Sequence, residues 1–489
     1  MNRTRFLTLA VVFASQFVAA TGAQQKPGTE NQEHAGHAHG QVAPLTASFP
    51  RLGRSQQAAG EALMTLEQAL ETAQANNPTL RQAEAEIRAA KARQQQSGLY
   101  PNPTVGYTGD EIRGGSVGGG KQGFFLQQTI VTGGKLSLAR DILAKESRLA
   151  EIEAEEQRIR VHTAVKMAFI RVLAAQELLD ARRDLARIES DSVETEHRLA
   201  NSGQADDTEV LGSEVDAQRA RMAARMQENT LREEWRSLAA ATGKPDLPPA
   251  TLAGDLERGW PELDEEQAVE SIANLSPAIV IAENNRLRAL AVLARAKKES
   301  VPDLQVRAGA EYNHETLGSV PFAKGWEGIA ELSAELPIFN RNQGNVAAAR
   351  ADIERSEQEK RRVALTLRER AASAVDQYAN ARLMATVYRD EILPRAKKAY
   401  ALMFEKYGLM LASYPRVLVQ QRKLYELQTE YIMALEALWT NGLALEGYLL
   451  TDGLEAPARP VDVDRPIRET NVPMPERTMA PADHAPSRP

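Results

Sequence analysis

Two periodicities of apolar residues alternate along the chain and predict its elements. Apolar side chains two residues apart, the spacing of a β-strand, occur at Val105 and Tyr107 and again over residues 306–312. Steps of three, four and seven residues, the spacing of a coiled-coil seam, follow over residues 138–159. The pattern predicts β-hairpins that lead into long helices.

These elements are predicted twice, because the chain carries an internal repeat. Residues 65–80 are TLEQALETAQANNPTL, and residues 264–279 are DEEQAVESIANLSPAI. Each copy begins with a predicted capping box, which starts at Thr65 in the first copy and at Asp264 in the second. The repeat is far longer than a solenoid unit. It therefore predicts two copies of one large structural unit.

The repeat sets the predicted organisation of the chain. In order, the predicted segments are a signal peptide (1–23), a flexible His-containing segment (24–62), a first repeat (63–243), a linker (244–262), a second repeat (263–452) and a disordered Pro-rich tail (453–489). The predicted hairpins span about 103–131 and 303–337, and the predicted long helices span about 135–201, 207–242, 343–406 and 412–451. The predicted fold class is mainly α with a small β part.

The first residues are typical of an export signal. Arg3 and Arg5 precede an apolar run over residues 6–20 and a small-residue cleavage site over residues 21–23. An uncleaved membrane anchor is the alternative, but the run is shorter than the ~20 residues of a spanning helix. The sequence contains no cysteine. Disulfides and a lipid on an N-terminal cysteine are therefore not expected.

The hairpins are the candidates for contact with a membrane. After residue 23 no apolar run reaches the ~18 residues of a spanning helix, so a bilayer would have to be crossed by strands closed into a barrel. Four strands are too few to close one, so several copies would share it. The aromatic residues predicted to form interfacial girdles are Tyr100, Tyr107, Phe124, Phe125, Tyr312, Phe322 and Trp326. Two hairpins of a soluble sheet are the alternative.

Composition and charge exclude several classes of function. With 26% charged and 5% aromatic residues, the chain suits long polar helices, and its net charge of −7 disfavours nucleic acid. The Gly-rich stretch at 114–121 ends in Lys121, but Gln122 follows where a phosphate loop requires a hydroxyl. We therefore expect no catalytic residue and no cofactor.

A histidine cluster is the candidate metal site. His34, His37 and His39 lie in EHAGHAHG, and neutral imidazoles suit Zn, Cu, Co and Ni. A flexible segment has no fixed neighbours to orient these ligands, so the sequence predicts a weak site. A His-rich linker without specific function is the alternative.

Three motifs carry a resemblance to a known family. They are YPNP at 100–103, LPIFNRNQGNVAAARADIE at 336–354 and YGLMLASYPRVLVQQRKLYELQTEYIMALEAL at 407–438. In this order, on a twofold repeat behind an export signal, they make residues 63–452 resemble the TolC-like outer membrane factors, or outer membrane efflux proteins. Within that family the chain most closely resembles the CzcC and CusC type of cation-efflux channel.

The resemblance implies an architecture and a function. It implies a homotrimer whose 12-stranded β-barrel, four strands per protomer, lies in outer membrane lipid of a Gram-negative bacterium and continues as an α-helical barrel across the periplasm. The implied partners are a periplasmic adaptor (membrane fusion protein) and an inner-membrane RND pump. The protein would then be a passive exit duct and not an enzyme, with heavy-metal cations as the expected cargo. A multidrug or organic-solvent channel is one alternative, and a periplasmic coiled-coil scaffold is an alternative of another class.

The resemblance also assigns roles to individual residues. The expected adaptor-facing helical tips contain Gly203, Asp207, Tyr407, Gly408 and Ser413. The expected transition from barrel to tunnel contains Gly133, Gly134, Pro337 and Gly344. The first copy lacks the Leu-Pro-Ile-Phe sequence of the second, so its two glycines are expected to make the same bend by another backbone route.

Overall fold

The computed structural model describes most of the two repeats. The described residues are 63–110, 117–118, 120–314, 316–317, 320–321 and 324–456. The predicted signal peptide, the His-containing segment up to residue 62 and the tail after residue 456 lie outside the described residues. Within the described part the chain is mainly α-helical with a small β part, which confirms the predicted fold class.

Both repeats place two short helices before the hairpin strands and long helices after them, but the second has one more short strand and a long helix divided in two. The first repeat contains β1 (Leu63–Met64), α1 (Leu66–Asn76), α2 (Pro78–Ser97), β2 (Thr104–Asp110), β3 (Val117–Gly118), β4 (Lys121–Ile130), α3 (Lys135–Asn201) and α4 (Asp207–Ala241). After β5 (Thr251–Leu252), the second contains α5 (Glu265–Leu275), α6 (Pro277–Lys298), β6 (Leu304–Asn313), β7 (Thr316–Leu317), β8 (Val320–Pro321), β9 (Gly325–Ala334), α7 (Gln343–Val387), α8 (Leu393–Gly408) and α9 (Tyr414–Glu446).

The sequence repeat is only partly matched by the hydrogen bonds at the start of the first helix in each copy. Thr65 accepts from the Gln68 backbone N–H at 3.3 Å, and the Gln68 side chain accepts from the Thr65 N–H at 3.1 Å. This reciprocal pair is the predicted capping box. In the second copy Asp264 accepts from the Gln267 N–H at 2.8 Å, but the return bond of a box is not formed. The two helix starts are therefore similar in sequence and unequal in bonding.

The two hairpins join into one antiparallel sheet. Its strand order is β2-β4-β6-β9, so the last strand of the first hairpin pairs with the first strand of the second over its full length. A smaller sheet, β3-β7-β8, pairs residues of the two hairpin turns with each other. Strands β2 and β9 each pair on one side within the described chain. The four-stranded sheet is therefore open at both edges.

Helix α3 is the element on which both repeats pack. Its 67 residues would extend about 100 Å at 1.5 Å per residue. It contacts α1, α2 and α6 from the short-helix pairs and α4 and α9 from the long hairpins. The side chains of Val165 and Val172 are fully buried at its centre. Helix α7 packs on α5, α6 and α9, and α8 packs on α9.

The predicted linker between the repeats, residues 244–262, packs against the helices, and we call it the belt. Leu252 and Leu256 are fully buried, and β5 pairs in parallel with β1. The indole N–H of Trp439 donates to the Leu256 carbonyl at 2.9 Å, and the Tyr378 hydroxyl donates to the Pro261 carbonyl at 2.6 Å. Side chains of α7 and α9 thus provide hydrogen-bond donors for these two carbonyls of the belt. Residues 244–262 therefore bind the repeats together.

A π-helical segment just before Pro394 interrupts the long helix of the second repeat. Residues Tyr388–Ile392 are π-helical between α7 and α8, and the Leu393 N–H donates to the Tyr388 carbonyl. Pro394, in the first turn of α8, has no N–H to donate and would clash with a straight α-helical turn before it. The widened turn accommodates the proline.

The C-terminal segment is packed further than the sequence predicts. The tail was expected from residue 453, but Gly453 is buried against α3. The Gln157 side chain donates to the Glu455 carbonyl at 3.1 Å. The segment can approach α3 this closely because Gly453 has no side chain. A Cβ at Gly453 would lie 2.8 Å from the Cβ of Ala164.

A search of the helices in the described residues identified no segment that combines the length and the hydropathy of a membrane span.

Candidate functional site

The four-stranded sheet has one apolar face and one polar face. Residues directly opposite each other across strands share a face, and successive residues alternate between faces. Large side chains of the apolar face are 37 to 74% exposed, and they are Val105, Tyr107, Phe124, Leu126, Ile130, Val306, Trp326 and Leu332. The polar face carries Thr104, Thr108, Asp110, Lys121, Gln127, Thr129, Gln305, Arg307, Glu311, Asn313, Glu327, Glu331 and Ser333.

Charged groups on the polar face are organised into pairs. The Lys121 ammonium lies 2.8 Å from Glu327 Oε2 and 3.9 Å from Glu311 Oε1. Asn313 Nδ2 donates to Glu327 Oε1 at 2.8 Å. Nearer the helices, four residues before Glu311 on β6, the guanidinium of Arg307 lies 3.7 Å from a Glu331 oxygen. The polar face therefore carries fixed charges of both signs, with carboxylates in excess.

Phe125 lies on the polar face, which corrects its predicted place in an aromatic girdle. Its neighbour across β2 is Gly106, and a Cβ at Gly106 would lie 2.6 Å from Phe125 Cε1. The guanidinium of Arg307 covers the ring at 4.1 Å from its centroid. The absent side chain of Gly106 lets the ring lie along the sheet, where Arg307 stacks on it. The predicted girdle residue Phe322 lies outside the described residues.

Two left-handed glycines connect β4 to α3. Gly133 has φ of 64° and Gly134 has φ of 72°, a backbone conformation that side chains with a Cβ adopt at a cost. The next residue, Lys135, forms an ion pair with Asp303 at 3.1 Å. Asp303 also accepts from the Thr132 N–H at 2.8 Å. The turn of the first repeat is thus held by the loop that precedes β6 in the second.

The corresponding turn of the second repeat uses an asparagine. Asn342 has φ of 61° and precedes α7, and its Nδ2 donates to the Ala296 carbonyl near the end of α6 at 2.8 Å. Pro337 lies in the irregular segment between β9 and this turn, where the Ile338 N–H donates to the Leu336 carbonyl at 2.9 Å, while Gly344 lies inside α7 with open space around it. The bend that the sequence assigns to the Gly344 region is therefore made at Asn342, whose short polar side chain tolerates the left-handed region.

The first helical tip is a glycine turn followed by a complete cap. Gly203 follows α3 with φ of 74°, and the Gln204 N–H donates back to the Leu199 carbonyl at 2.8 Å. Asp206 then accepts from the Glu209 N–H at 2.9 Å, and the Glu209 side chain accepts from the Asp206 N–H. Asp207 is the first residue of α4 and not its cap.

The second tip ends in an exposed apolar turn. Gly408 is the last residue of α8, and the left-handed residue is Met410, with φ of 57°. Leu409, Met410 and Leu411 are 63, 87 and 72% exposed. The rings of Tyr407 and Tyr414 lie 5.7 Å apart across the turn, and Ser413 precedes α9 without a side-chain cap. The tip therefore presents three apolar side chains to its surroundings.

An ion network joins the two hairpins near these tips. Arg422 on α9 donates through Nε and a terminal nitrogen to the two oxygens of Glu189 on α3, at 2.8 and 2.9 Å. The same guanidinium lies 2.9 Å from Asp216 on α4. Ile188 and Leu418 pack beside the network. Both tips therefore lie at the same end of the helices.

Comparison with known proteins identifies the family. Residues 69–244 and 268–449 match the outer membrane efflux protein family, one segment in each repeat. The chain belongs to the outer membrane efflux protein family. Its members are efflux channels rather than enzymes, in agreement with the absence of a catalytic motif from the sequence.

Relatives agree with the family and the fold. The cobalt-zinc-cadmium resistance protein CzcC of Cupriavidus metallidurans is 24% identical over 428 residues, which cover 87% of this chain and 94% of CzcC. The solved structure of CusC superposes with a TM-score of 0.62 at 17% identity, covering 80% of this chain and 92% of CusC. VceC of Vibrio cholerae gives 0.61 at 17% identity, covering 80 and 96%. The fold of this outer membrane efflux protein is therefore that of solved outer membrane channels.

The described part of this outer membrane efflux protein contains no cluster of three or more His, Cys, Asp or Glu side chains arranged to hold a metal. The predicted metal ligands His34, His37 and His39 lie outside the described residues. Among the described histidines, His197 lies 3.2 Å from Glu214 between α3 and α4.

Several residues of this site carry no clear signal in the sequence. Met410 and Asn342 occupy left-handed positions at which sequence reasoning favours nearby glycines. Arg422 is one cation among many on polar helices, and its two carboxylate partners are more than 200 residues away in the chain. The alternation of apolar residues did mark the strands, but not the strand order that unites the two hairpins in one sheet.

Proposed function

We propose that this outer membrane efflux protein is the exit duct of a tripartite efflux system and exports heavy-metal cations. The observation that carries the proposal is the four-stranded sheet with an exposed apolar face, a charged face and two open edges. A sheet in water does not gain from exposing large side chains along a whole face. Lipid against one face and a water-filled channel against the other account for both.

The open edges support assembly from three copies. Strand β2 at one edge and β9 at the other leave backbone groups that lipid cannot satisfy. Pairing β9 of one copy with β2 of the next closes the sheet, and three copies supply twelve strands. The homotrimer would lie in the outer membrane of a Gram-negative bacterium, with its helices extending into the periplasm and without an N-terminal lipid.

The charge of the polar face supports cations as cargo. Its described charged side chains are the four acids Asp110, Glu311, Glu327 and Glu331 and the two bases Lys121 and Arg307. Three copies would line one channel with this acidic excess, which raises the local concentration of cations. The name of the relative CzcC, a cobalt-zinc-cadmium resistance protein, agrees with a metal cargo.

The helical tips are the proposed docking surface for a periplasmic adaptor that connects the duct to an inner-membrane RND pump. Leu409, Met410 and Leu411 expose apolar surface there, and Gly203 and Asp207 form the neighbouring tip. Exposed apolar side chains in a turn are typical of a protein contact. Gly133, Gly134 and Pro337 would lie at the junction of the membrane and helical parts.

A deletion strain tests function and cargo together. We expect its tolerance to Co, Zn and Cd to fall and the full-length gene to restore it. Unchanged metal tolerance with lost tolerance to drugs or solvents would mean that the cargo is organic compounds.

Fractionation of cells that produce the protein tests the channel separately. Recovery of the protein as a soluble periplasmic monomer would favour the coiled-coil scaffold and overturn the channel.

The same strain tests the histidine segment. Expression of a chain without residues 31–41 should give normal trimers in the outer membrane and only a modest change in metal tolerance, because a flexible segment binds metal weakly. Loss of the trimer would mean that the segment has a role in assembly.

A further inference from the structure

Two basic residues lie directly beyond an aromatic pair of the apolar face. Tyr312 on β6 is opposite Trp326 on β9, and their rings meet edge to face at a centroid distance of 5.6 Å. The paired register ends at Asn313 and Gly325, and His314 and Lys324 are the next residues beyond it on the two sides. Residues two apart on a strand share a face. His314 follows Tyr312 by two residues and Lys324 precedes Trp326 by two, so the two basic residues flank the aromatic pair at the turn end of the sheet.

A backbone hydrogen bond holds His314 to the sheet, and the side chains of both basic residues are exposed. The His314 N–H donates to the Gly120 carbonyl at 2.9 Å, which extends the ladder between β4 and β6 by one residue. The His314 ring lies 4.5 Å from the Tyr312 ring. Both His314 and Lys324 are exposed, and neither forms an ion pair with another described residue. The cations of the polar face differ, because Lys121 and Arg307 are paired with carboxylates.

The position along the strands matches the border of a membrane. The apolar face extends from Leu304 to Tyr312, eight residue steps or about 27 Å at ~3.4 Å per residue. At a strand tilt of roughly 40° this gives about 21 Å of height, close to the ~25 Å apolar band of membrane barrels. Tyr312 and Trp326 then lie at the level of lipid headgroups, where aromatic residues concentrate. His314 and Lys324 lie one step further out.

We propose that His314 and Lys324 bind the phosphate groups of anionic lipid headgroups, in the leaflet at the turn end of the sheet, away from the helices. Lys324 supplies a positive charge, and an imidazole N–H donates in either protonation state. Three copies would place three such sites around the channel. The inference rests on the proposed function, because it requires the apolar face to lie in lipid.

The experiment uses the full-length assembly purified in detergent. Diphosphoryl lipid A and the same lipid without its phosphates are titrated separately, and retained lipid is counted by native mass spectrometry. We expect the phosphorylated lipid to bind more tightly. Lys324→Gln should weaken this binding about fivefold, since one cation near an anionic surface contributes on that order. His314→Gln with Lys324→Gln should weaken it further and remove the preference.

Two controls make the outcome specific. Lys297→Gln removes an exposed cation of α6 outside the sheet and should leave binding unchanged. The melting temperature of each variant shows that the assembly is intact. Equal binding of both lipids to the natural protein, or unchanged binding to the double variant, would overturn the proposal. Full competition by inorganic phosphate would do the same, since it would mean a site for free anions.

The result separates this inference from the proposed function. A protein that inserts and forms trimers without preferring phosphorylated lipid refutes the headgroup site and leaves the channel standing. A protein that stays soluble and monomeric refutes both.

Discussion

Arg422 binds both carboxylate oxygens of Glu189 through two nitrogens, at 2.8 and 2.9 Å, and so joins α9 to α3 near the helical tips. The Glu189 side chain is 5% exposed, while Arg422 is 36% exposed. A carboxylate this buried depends on its partner, because burial without a cation costs more than the pair contributes. The bidentate geometry adds directionality that a single contact lacks.

Removal of Arg422 should therefore destabilise the helical hairpins. We expect Arg422→Ala to lower the free energy of unfolding by about 2 kcal/mol, below the ~3–5 kcal/mol of a fully buried pair because Arg422 is partly solvated. Arg183→Ala is the matched control. It removes an exposed pair of α3 with Glu228 on α4, which is worth about 0–1 kcal/mol. Thermal unfolding of the helices, followed by circular dichroism, measures both, and equal losses would contradict the role of burial.

The buried carboxyl of Glu153 should make stability depend on pH. Burial, with the nearby charges of Glu156 and Glu86, raises the pKa of Glu153 to about 7. In the unfolded chain its pKa is near 4.5, so the folded state holds the proton more tightly. This contribution is complete below about pH 4.5 and is lost as pH rises through 7. We expect Glu153→Gln to flatten the fall in melting temperature between pH 5.5 and 8.5, an effect of at most about 3 kcal/mol.

Glu283 provides the control for this pH effect. Arg286 and Lys360 lower the pKa of Glu283 to about 2, so its contribution is present above about pH 4.5 and is lost as pH falls towards 2. Glu283→Gln should leave the slope between pH 5.5 and 8.5 unchanged. A slope that changes with Glu283→Gln and not with Glu153→Gln would reverse the assignment.

Gly106 should be intolerant of a side chain because Phe125 occupies its space. A Cβ would lie 2.6 Å from Phe125 Cε1, so Gly106→Ala should displace the ring from Arg307 and cost about 1–3 kcal/mol. The heat stability of the purified assembly measures this cost. Gly328→Ala, on the same sheet but with open space around it, should be close to neutral. In a Phe125→Ala background the cost of Gly106→Ala should largely disappear, and an unchanged cost there would exclude the clash.

The left-handed residues of the two tips predict opposite substitution effects. Met410 has φ of 57°, and Met410→Gly should stabilise its turn by about 1 kcal/mol. Gly203 has φ of 74° in open space, so Gly203→Ala should destabilise its turn by a similar amount through the backbone alone. Hydrogen exchange of the Leu411 and Gln204 amides, which close the two turns, measures each effect locally. Slower exchange at Gln204 in Gly203→Ala would contradict the prediction.

The sequence predicted those elements of this protein that depend on interactions between residues close together in the chain. The heptad pattern over residues 138–159 marks α3, and the alternation around Tyr107 and Tyr312 marks the strands. Thr65 with Gln68 marks a helix start that the structure forms as a complete box. Each of these signals acts within about seven residues of the chain, so the sequence displays it directly.

Contacts between distant residues lay beyond such signals. The belt around Leu252 and Leu256 resembles a proline-rich linker in sequence, and its burial depends on α3, α7 and α9 being in place. The backbone bends at Asn342 and not at Gly344, because the Asn342 side chain donates a hydrogen bond to the Ala296 carbonyl near the end of α6. Pro394 signals a kink, but the widened turn before it is a response of the helix backbone.

The amino-acid sequence was sufficient for the twofold repeat, the order of the hairpins and long helices, the mainly helical class and the family, since all of these depend on periodicity and motifs along one chain. Only the tertiary structure decided that β4 pairs with β6, which makes one sheet of the two hairpins. It also decided that Arg422 forms ion pairs with Glu189 and Asp216. Those contacts join residues more than 170 positions apart. Their energies depend on burial and geometry that arise when the helices and strands are packed together.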